Sequence, residues 1–131
     1  MDWKEFGLNV ILRFVSVFVA LLEGGILVLV AGIDAAWGDG GTSYFGPLGL
    51  AHFALAAATG YAGVMLLKDP LKGRIATLAV SGGAILLTAL TQVLLGYNWV
   101  LLLFTIWWFA SGVYAIGTLW KPIHIQGDSP R

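Results

Sequence analysis

Four apolar runs of about 20 residues each, broken only by short connections, constrain this chain more than any other feature. They are Phe14–Ile33, Leu48–Leu67, Ile75–Leu95 and Val100–Leu119. At about 1.5 Å per residue, a helix of that length crosses a hydrocarbon layer about 30 Å thick. Inside lipid the backbone must satisfy its own N–H and C=O groups, which favours helices over open strands. The expected fold is therefore all-α: an integral membrane four-helix transmembrane bundle, up-down-up-down, with N and C termini cytoplasmic. It forms one domain over 1–131, with helices at about 8–33, 48–67, 74–95 and 99–120.

Composition excludes the main alternatives. Of 131 residues, 59% are hydrophobic and 11% charged, against about 25% charged in soluble domains. Neither a soluble domain nor a disordered chain fits that balance. Seven basic and seven acidic residues cancel, so no basic excess is available for nucleic acid. With no cysteine, disulfides, thiolate metal sites, iron–sulfur clusters and cysteine nucleophiles are all excluded.

The connections set the expected orientation. Residues 34–47, DAAWGDGGTSYFGP, read as a Gly-rich loop with Pro47 placed to start the second helix. Residues 68–74, KDPLKGR, read as a charged turn, and Gly96-Tyr97-Asn98 as a tight one. Lys4 and Arg13 flank the start of the first span. Lys68, Lys72 and Arg74 lie in the second connection, and Lys121 and Arg131 follow the last span. The other two connections hold no Lys or Arg, so the positive-inside rule places all seven basic residues in the cytoplasm. Trp37, Tyr44, Tyr97 and Trp99 are expected at the outer interface, and Trp3 and Trp120 at the inner one. The first span is long for a signal peptide and holds an acid, so cleavage is not expected. A multi-pass protein of the cell membrane, in the prokaryotic plasma membrane, is the expected setting.

Each span carries small or polar residues at helical spacing: Arg13, Ser16, Ala20, Glu23, Gly24, Leu27, Ala31 and Asp34; then His52, Ala56, Thr59, Gly60 and Gly63. The third carries Thr77, Ser81, Ala84, Thr88, Thr91 and Gln92, and the fourth Thr105, Trp108, Ser111, Gly112 and Ala115. Packing and interhelical hydrogen bonds hold helices together in lipid, so these stripes read as the bundle interior.

Glu23 lies near mid-span, where a charge is costly. With Arg13 about 15 Å along the helix and no Lys or Arg at its depth, Glu23 is expected to be neutral. It reads as a proton or ion site or ligand anchor, as an acid hydrogen-bonded to Ser111, Thr88, Tyr61 or a backbone carbonyl, or as the partner of a cation on another subunit. Gly24 and Gly25 beside it suit close helix packing. His52 reads as a proton relay toward Glu23, with Gln92 at a similar depth, as one axial tetrapyrrole ligand, or as a neutral hydrogen-bonded histidine. Phe104, Trp107 and Trp108 form an aromatic group near the bilayer centre. Trp108 is expected on the packing stripe. Trp107 and Phe104 are expected to face lipid, another subunit, or a flat apolar cofactor such as a quinone or carotenoid. No metal cluster, Schiff-base lysine in a span or catalytic triad is present in the pattern, and the GDGG run lacks the Lys-Ser/Thr of a phosphate loop.

The stretch from Arg13 through Leu-Leu-Glu23-Gly24-Gly25-Ile-Leu-Val-Leu-Val-Ala-Gly32 resembles the Glu-x-x-Gly-Gly helix of the DoxX/DoxD group of small four-span proteins, over about 20 residues. That group includes subunits linked to respiratory quinone chemistry. There the motif sits on the second helix and here on the first, so the resemblance carries no site residue across. The single Glu in the first helix also resembles small multidrug transporters, without their surrounding motif. The expected function is a small non-catalytic accessory subunit of a larger membrane complex, respiratory or electron-transferring. The alternatives are an oligomeric proton-coupled transporter using Glu23, and a quinone- or pigment-binding subunit. The expected partners are the lipid bilayer and other membrane subunits, in a hetero-oligomer ahead of a homo-oligomer. No cofactor is required by the pattern; a quinone, carotenoid or lipid fits the aromatic group.

Overall fold

The computed structural model describes residues 3–38, 45–95 and 99–120, and among these all the regular structure is helical. Helix α1 spans Trp3–Trp37, α2 Phe45–Lys68, α3 Pro70–Leu95 and α4 Trp99–Leu119. Each is long and apolar enough to cross a membrane. The expected outer-interface residues Tyr44 and Tyr97, the side chain of Trp37, the turn 96–98, and Lys121 and Arg131 lie outside what is described. Trp3, Trp99 and Trp120 are exposed at helix ends, as interfacial tryptophans require.

Several boundaries differ from the sequence reading: the expected loop 34–47 is shortened at both ends, since α1 runs on to Trp37 and α2 starts at Phe45, ahead of Pro47. Helix α1 begins at Trp3 rather than near residue 8, and its 35 residues extend about 52 Å, well beyond a hydrocarbon core. Arg13, expected at the flank of the first span, consequently lies ten residues inside α1. The expected charged turn at 68–74 contracts to Asp69. Asp69 acts as the N-cap of α3, with its carboxylate reaching the Lys72 amide at 3.5 Å, and Pro70 takes the first helical position, where a missing N–H costs nothing. Gly73 makes this contraction feasible: a Cβ there would lie 2.3 Å from the Leu66 amide nitrogen and 2.5 Å from its Cα.

The helices pack in sequence order, α1 on α2, α2 on α3, α3 on α4, and α1 and α4 close the ring as the least close of these neighbouring pairs along their backbones. The α1/α2 seam is close. A Cβ on Gly24 would meet the Gly49 carbonyl oxygen at 2.9 Å, and a Cβ on Gly63 would meet Arg13 Cβ at 3.2 Å. At the far end of α4, Arg74 of α3 donates from Nε to the Leu119 carbonyl and from Nη2 to the Trp120 carbonyl at 2.6 Å. Those are the unsatisfied acceptors a helix C-terminus leaves, and a cation there also suits the helix dipole.

Two apolar clusters fill the interior. One joins Ala20, Leu55, Ala56, Ala84 and Trp108 from all four helices. The other joins Leu27, Leu48 and Leu101 near the end of the bundle where α1 finishes and α2 begins. Outward, Phe18, Leu29, Leu50, Leu86, Val93 and Leu103 are exposed, which suits contact with acyl chains.

Candidate functional site: a buried Glu–His–Trp cluster

The stripes bring three polar side chains from three helices together at the bundle centre. Glu23 of α1 is 1% exposed, His52 of α2 0% and Trp108 of α4 1%. Trp108 Nε1 donates to Glu23 Oε1 at 3.0 Å. His52 Nε2 faces Glu23 Oε2 at 3.3 Å, a charge-pair distance without the alignment of a hydrogen bond. His52 Nδ1 lies 2.7 Å from the Leu48 carbonyl oxygen. A carbonyl only accepts, so Nδ1 carries a proton and donates it to that bond.

This fixed tautomer leaves one proton to place between Nε2 and Oε2. With the proton on oxygen, the pair is a carboxylic acid facing a neutral imidazole. With the proton on nitrogen, it is a carboxylate facing an imidazolium. Both forms are neutral overall. Adding a second proton leaves +1 at mid-bundle, and removing the first leaves −1, and either charge is costly there. The sequence reading expected Glu23 to be neutral for want of a cation at its depth; His52 is a group at that depth able to carry positive charge.

A second polar layer lies ten residues back along α1, about 15 Å away. Arg13 is fully buried, not at an interface as its place before the apolar run implies. Its Nη1 donates to Ser81 Oγ of α3 at 3.1 Å and its Nη2 to the Ser111 carbonyl of α4 at 3.4 Å. Gly63 of α2 leaves room for its stem. Its Nε has no hydrogen-bond partner, and among the described residues no carboxylate lies within ion-pair distance of the guanidinium. The sequence read Arg13 in two ways, at the flank of the first span because the apolar run starts at Phe14 and on the inward stripe by its spacing, and the structure follows the stripe. The available signal was spacing: Arg13, Ser16, Ala20 and Glu23 share one helical face.

The remaining candidates go elsewhere. Gln92 is half-buried and its Nε2 donates to Thr105 Oγ1 at 2.9 Å; Thr105 donates in turn to the Leu101 carbonyl at 2.8 Å and lies 3.3 Å from Thr88 Oγ1. This α3–α4 hydroxyl group is separate from Glu23. Tyr61, considered as a partner for Glu23, is 60% exposed, and Ser111 and Thr88 make no hydrogen bond to it. Phe104 and Trp107, expected to face outward, are half-buried and pack against the central cluster. Trp107 Nε1 donates to Ser16 Oγ of α1 at 3.0 Å. Trp107 and Trp108 point about 100° apart, and the wide α1/α4 seam admits both. The outward side of α4 instead carries Leu103, Ile106, Phe109 and Val113.

Among the described residues no group of His, Cys, Asp or Glu is arranged to hold a metal ion. Compared with known protein families, curated proteins and solved structures, the chain matches none. The resemblances carried by Glu23-Gly24-Gly25 therefore gain no support beyond that stretch, and the functional argument rests on the geometry of the cluster.

Proposed function

We propose that this protein is a small proton-coupled membrane carrier in which Glu23 and His52 together bind and release one proton. The carrying observation is the pair itself: a carboxyl and an imidazole, both buried, facing each other with the far imidazole nitrogen already committed to Leu48. A strut needs only one donor and one acceptor, whereas here a carboxyl that already accepts from Trp108 also faces an imidazole nitrogen able to take up its proton. Trp108 holds the carboxyl from the other side, as a positioned proton site requires.

The orientation belongs to the same proposal. Lys4, Lys68, Lys72 and Arg74 lie where α1 begins, α2 ends and α3 begins, and Arg74 reaches the end of α4. This supports an up-down-up-down bundle in the cell membrane with that end cytoplasmic. The test is a Lys72→Cys variant of the cysteine-free chain. An impermeant thiol reagent is expected to leave it unlabelled in intact cells; labelling would invert the topology.

A second reading keeps the protein as a non-catalytic subunit of a larger complex, and the near-complete burial of Glu23 and His52 favours it. Infrared difference spectroscopy on the protein in lipid discs separates the two. A proton site shows a carboxyl band, absent in Glu23→Gln, that changes as pH is stepped through the range from 4 to 10 (about the span between carboxylate and lysine titration). A band that stays fixed throughout leaves Glu23 as a strut and favours the subunit reading.

A further inference from the structure

We infer that the Glu23–His52 pair exchanges its proton with one side of the membrane only, the side where α1 ends and α2 begins. The route runs through an apolar cavity closed from the pair by Leu27, Leu48 and Leu101. This rests on the proton-site reading above and adds the direction of access.

The two sides of the pair differ in kind. Toward the end of α1, a half-open cavity of about 190 Å³ is lined by Ile26, Leu27, Val30, Phe45, Leu95, Val100 and Leu101, with residues from every helix. Two of its lining residues, Leu27 and Leu101, pack with Leu48 in one buried cluster that forms its floor. Leu27 is one helical turn beyond Glu23, and Leu48 one turn before His52, so the floor is a single side-chain layer, about 6 Å deep. A cavity lined only by apolar side chains stays dry, so it takes up water only when its floor opens toward Glu23 and His52. The Leu48 carbonyl that anchors His52 Nδ1 belongs to the floor itself, so a shift of this layer moves the imidazole.

In the other direction stands Arg13. Its guanidinium is buried, permanently charged at ordinary pH, and without a carboxylate partner among the described residues. A fixed cation of this kind repels hydronium, the device by which narrow membrane pores exclude protons. At the level of the pair itself, α2 contributes His52, α4 contributes Trp108 and α3 contributes Ala84. The next charged groups along α1 are Arg13 and Asp34, ten and eleven residues away. An apolar layer that dewets and rewets is a gate; a buried cation is a barrier. Together they make exchange one-sided.

The experiment uses the full chain in liposomes of one orientation, verified by labelling Lys72→Cys from outside. The Glu23 carboxyl band is followed after a pH step on each side, then on both sides with a protonophore. The expected result is a response to the step on the side away from Lys72, and none to the step on the Lys72 side. Leu101→Ala is expected to speed the response about tenfold by thinning the floor, and Arg13→Gln to make the Lys72 side responsive. A response led by the Lys72 side in the unmodified chain overturns the one-sided route while leaving the proton site standing. So does equal response from both sides. No response even with the protonophore overturns the proton site, and the route with it. Should Leu101→Ala fail to fold, Arg13→Gln and the sidedness of the unmodified chain decide the matter alone.

Discussion

Helix α1 has two neighbours and meets them by opposite means. Against α2 it is held by absence: Gly24 and Gly49 remove side chains so that backbones touch, and a Cβ on Gly49 would meet Val28 Cγ2 at 2.6 Å and the Gly24 carbonyl oxygen at 2.9 Å. Against α4 it is held by reach. There the backbones stand apart, and Asn9, Arg13, Ser16 and Glu23 bond across to Thr118, the Ser111 carbonyl, Trp107 and Trp108. Lipid gives no hydrophobic force between helices, and these are the two available substitutes, dispersion at close range and hydrogen bonds. The close seam leaves room for one polar contact, His52 facing Glu23. The wide one holds the other polar contacts of α1 with α4, while His52 enters from α2 just beyond the Gly49 contact.

The largest expected effect comes from breaking the close seam. Gly49→Val places atoms against Val28 and against the Gly24 backbone, where no rotamer change relieves the clash. A loss of about 3 kcal/mol is expected, read as aggregated rather than monodisperse protein in mild detergent. Gly25 is the control, since a Cβ there meets nothing within 4 Å. Gly25→Ala should leave the protein intact or slightly more stable, because alanine is the better helix former. Equal tolerance of both would show that the seam is not closed by Gly49.

Next comes the wide seam at its centre. Glu23→Ala removes the acceptor for Trp108 and the group facing His52, leaving two buried polar groups without partners. A loss of about 2–4 kcal/mol is expected in a denaturation series. Glu23→Gln keeps an acceptor for the indole and should lose about half as much. If the two variants cost the same, the Trp108 contact carries no stability.

How much of this was legible beforehand follows the same division. The inward faces could be read from spacing alone: Arg13, Ser16, Ala20, Glu23 and Leu27 repeat every three or four residues and are all buried, because helical geometry maps sequence to face directly. Their mutual register could not. His52 meets Glu23 because α1 and α2 lock at Gly24 and Gly49, and each helix alone has glycines elsewhere that offer other registers. Trp107 was placed outward because adjacent helical residues point about 100° apart and Trp108 took the packing stripe. That inference holds for a close seam and fails for a wide one, and seam width is set jointly by both helices. Arg13 was misplaced because the hydropathy rule stops at a charge, although the same charge lies on the buried stripe. For His52 and Trp107 the missing information was between helices; for Arg13 it lay within one, on the stripe itself.

Arg13 reverses the sign expected of Glu23. Removing a buried cation that has only neutral partners relieves a desolvation cost rather than orphaning a counter-ion. Arg13→Met keeps the stem's packing beside Gly63 and should leave stability unchanged or raise it by about 1 kcal/mol. A strongly destabilised Arg13→Met would instead mean that the guanidinium finds an anion in its natural assembly, and co-purification of a second subunit with the unmodified chain would then be the observation to seek.

The smallest effect separates the two pictures of Trp107. Its indole N–H donates to Ser16 across the wide seam at 3.0 Å and the residue is half-buried. Bonds of this kind between membrane helices average about 0.6 kcal/mol in double-mutant cycles. Trp107→Phe and Ser16→Ala should each cost an amount of that order, and the double variant less than their sum, since either change alone removes the shared bond. An outward Trp107, gripping another subunit or a flat ligand, predicts otherwise. Trp107→Phe would then loosen assembly without touching the bundle's own stability, and Ser16→Ala would add independently. The cycle thus asks whether the wide seam is closed by its own side chains or left open for something else. Coupling between positions 16 and 107 means the bundle closes itself, so that any partner must dock on the Leu103, Ile106, Phe109 and Val113 side of α4.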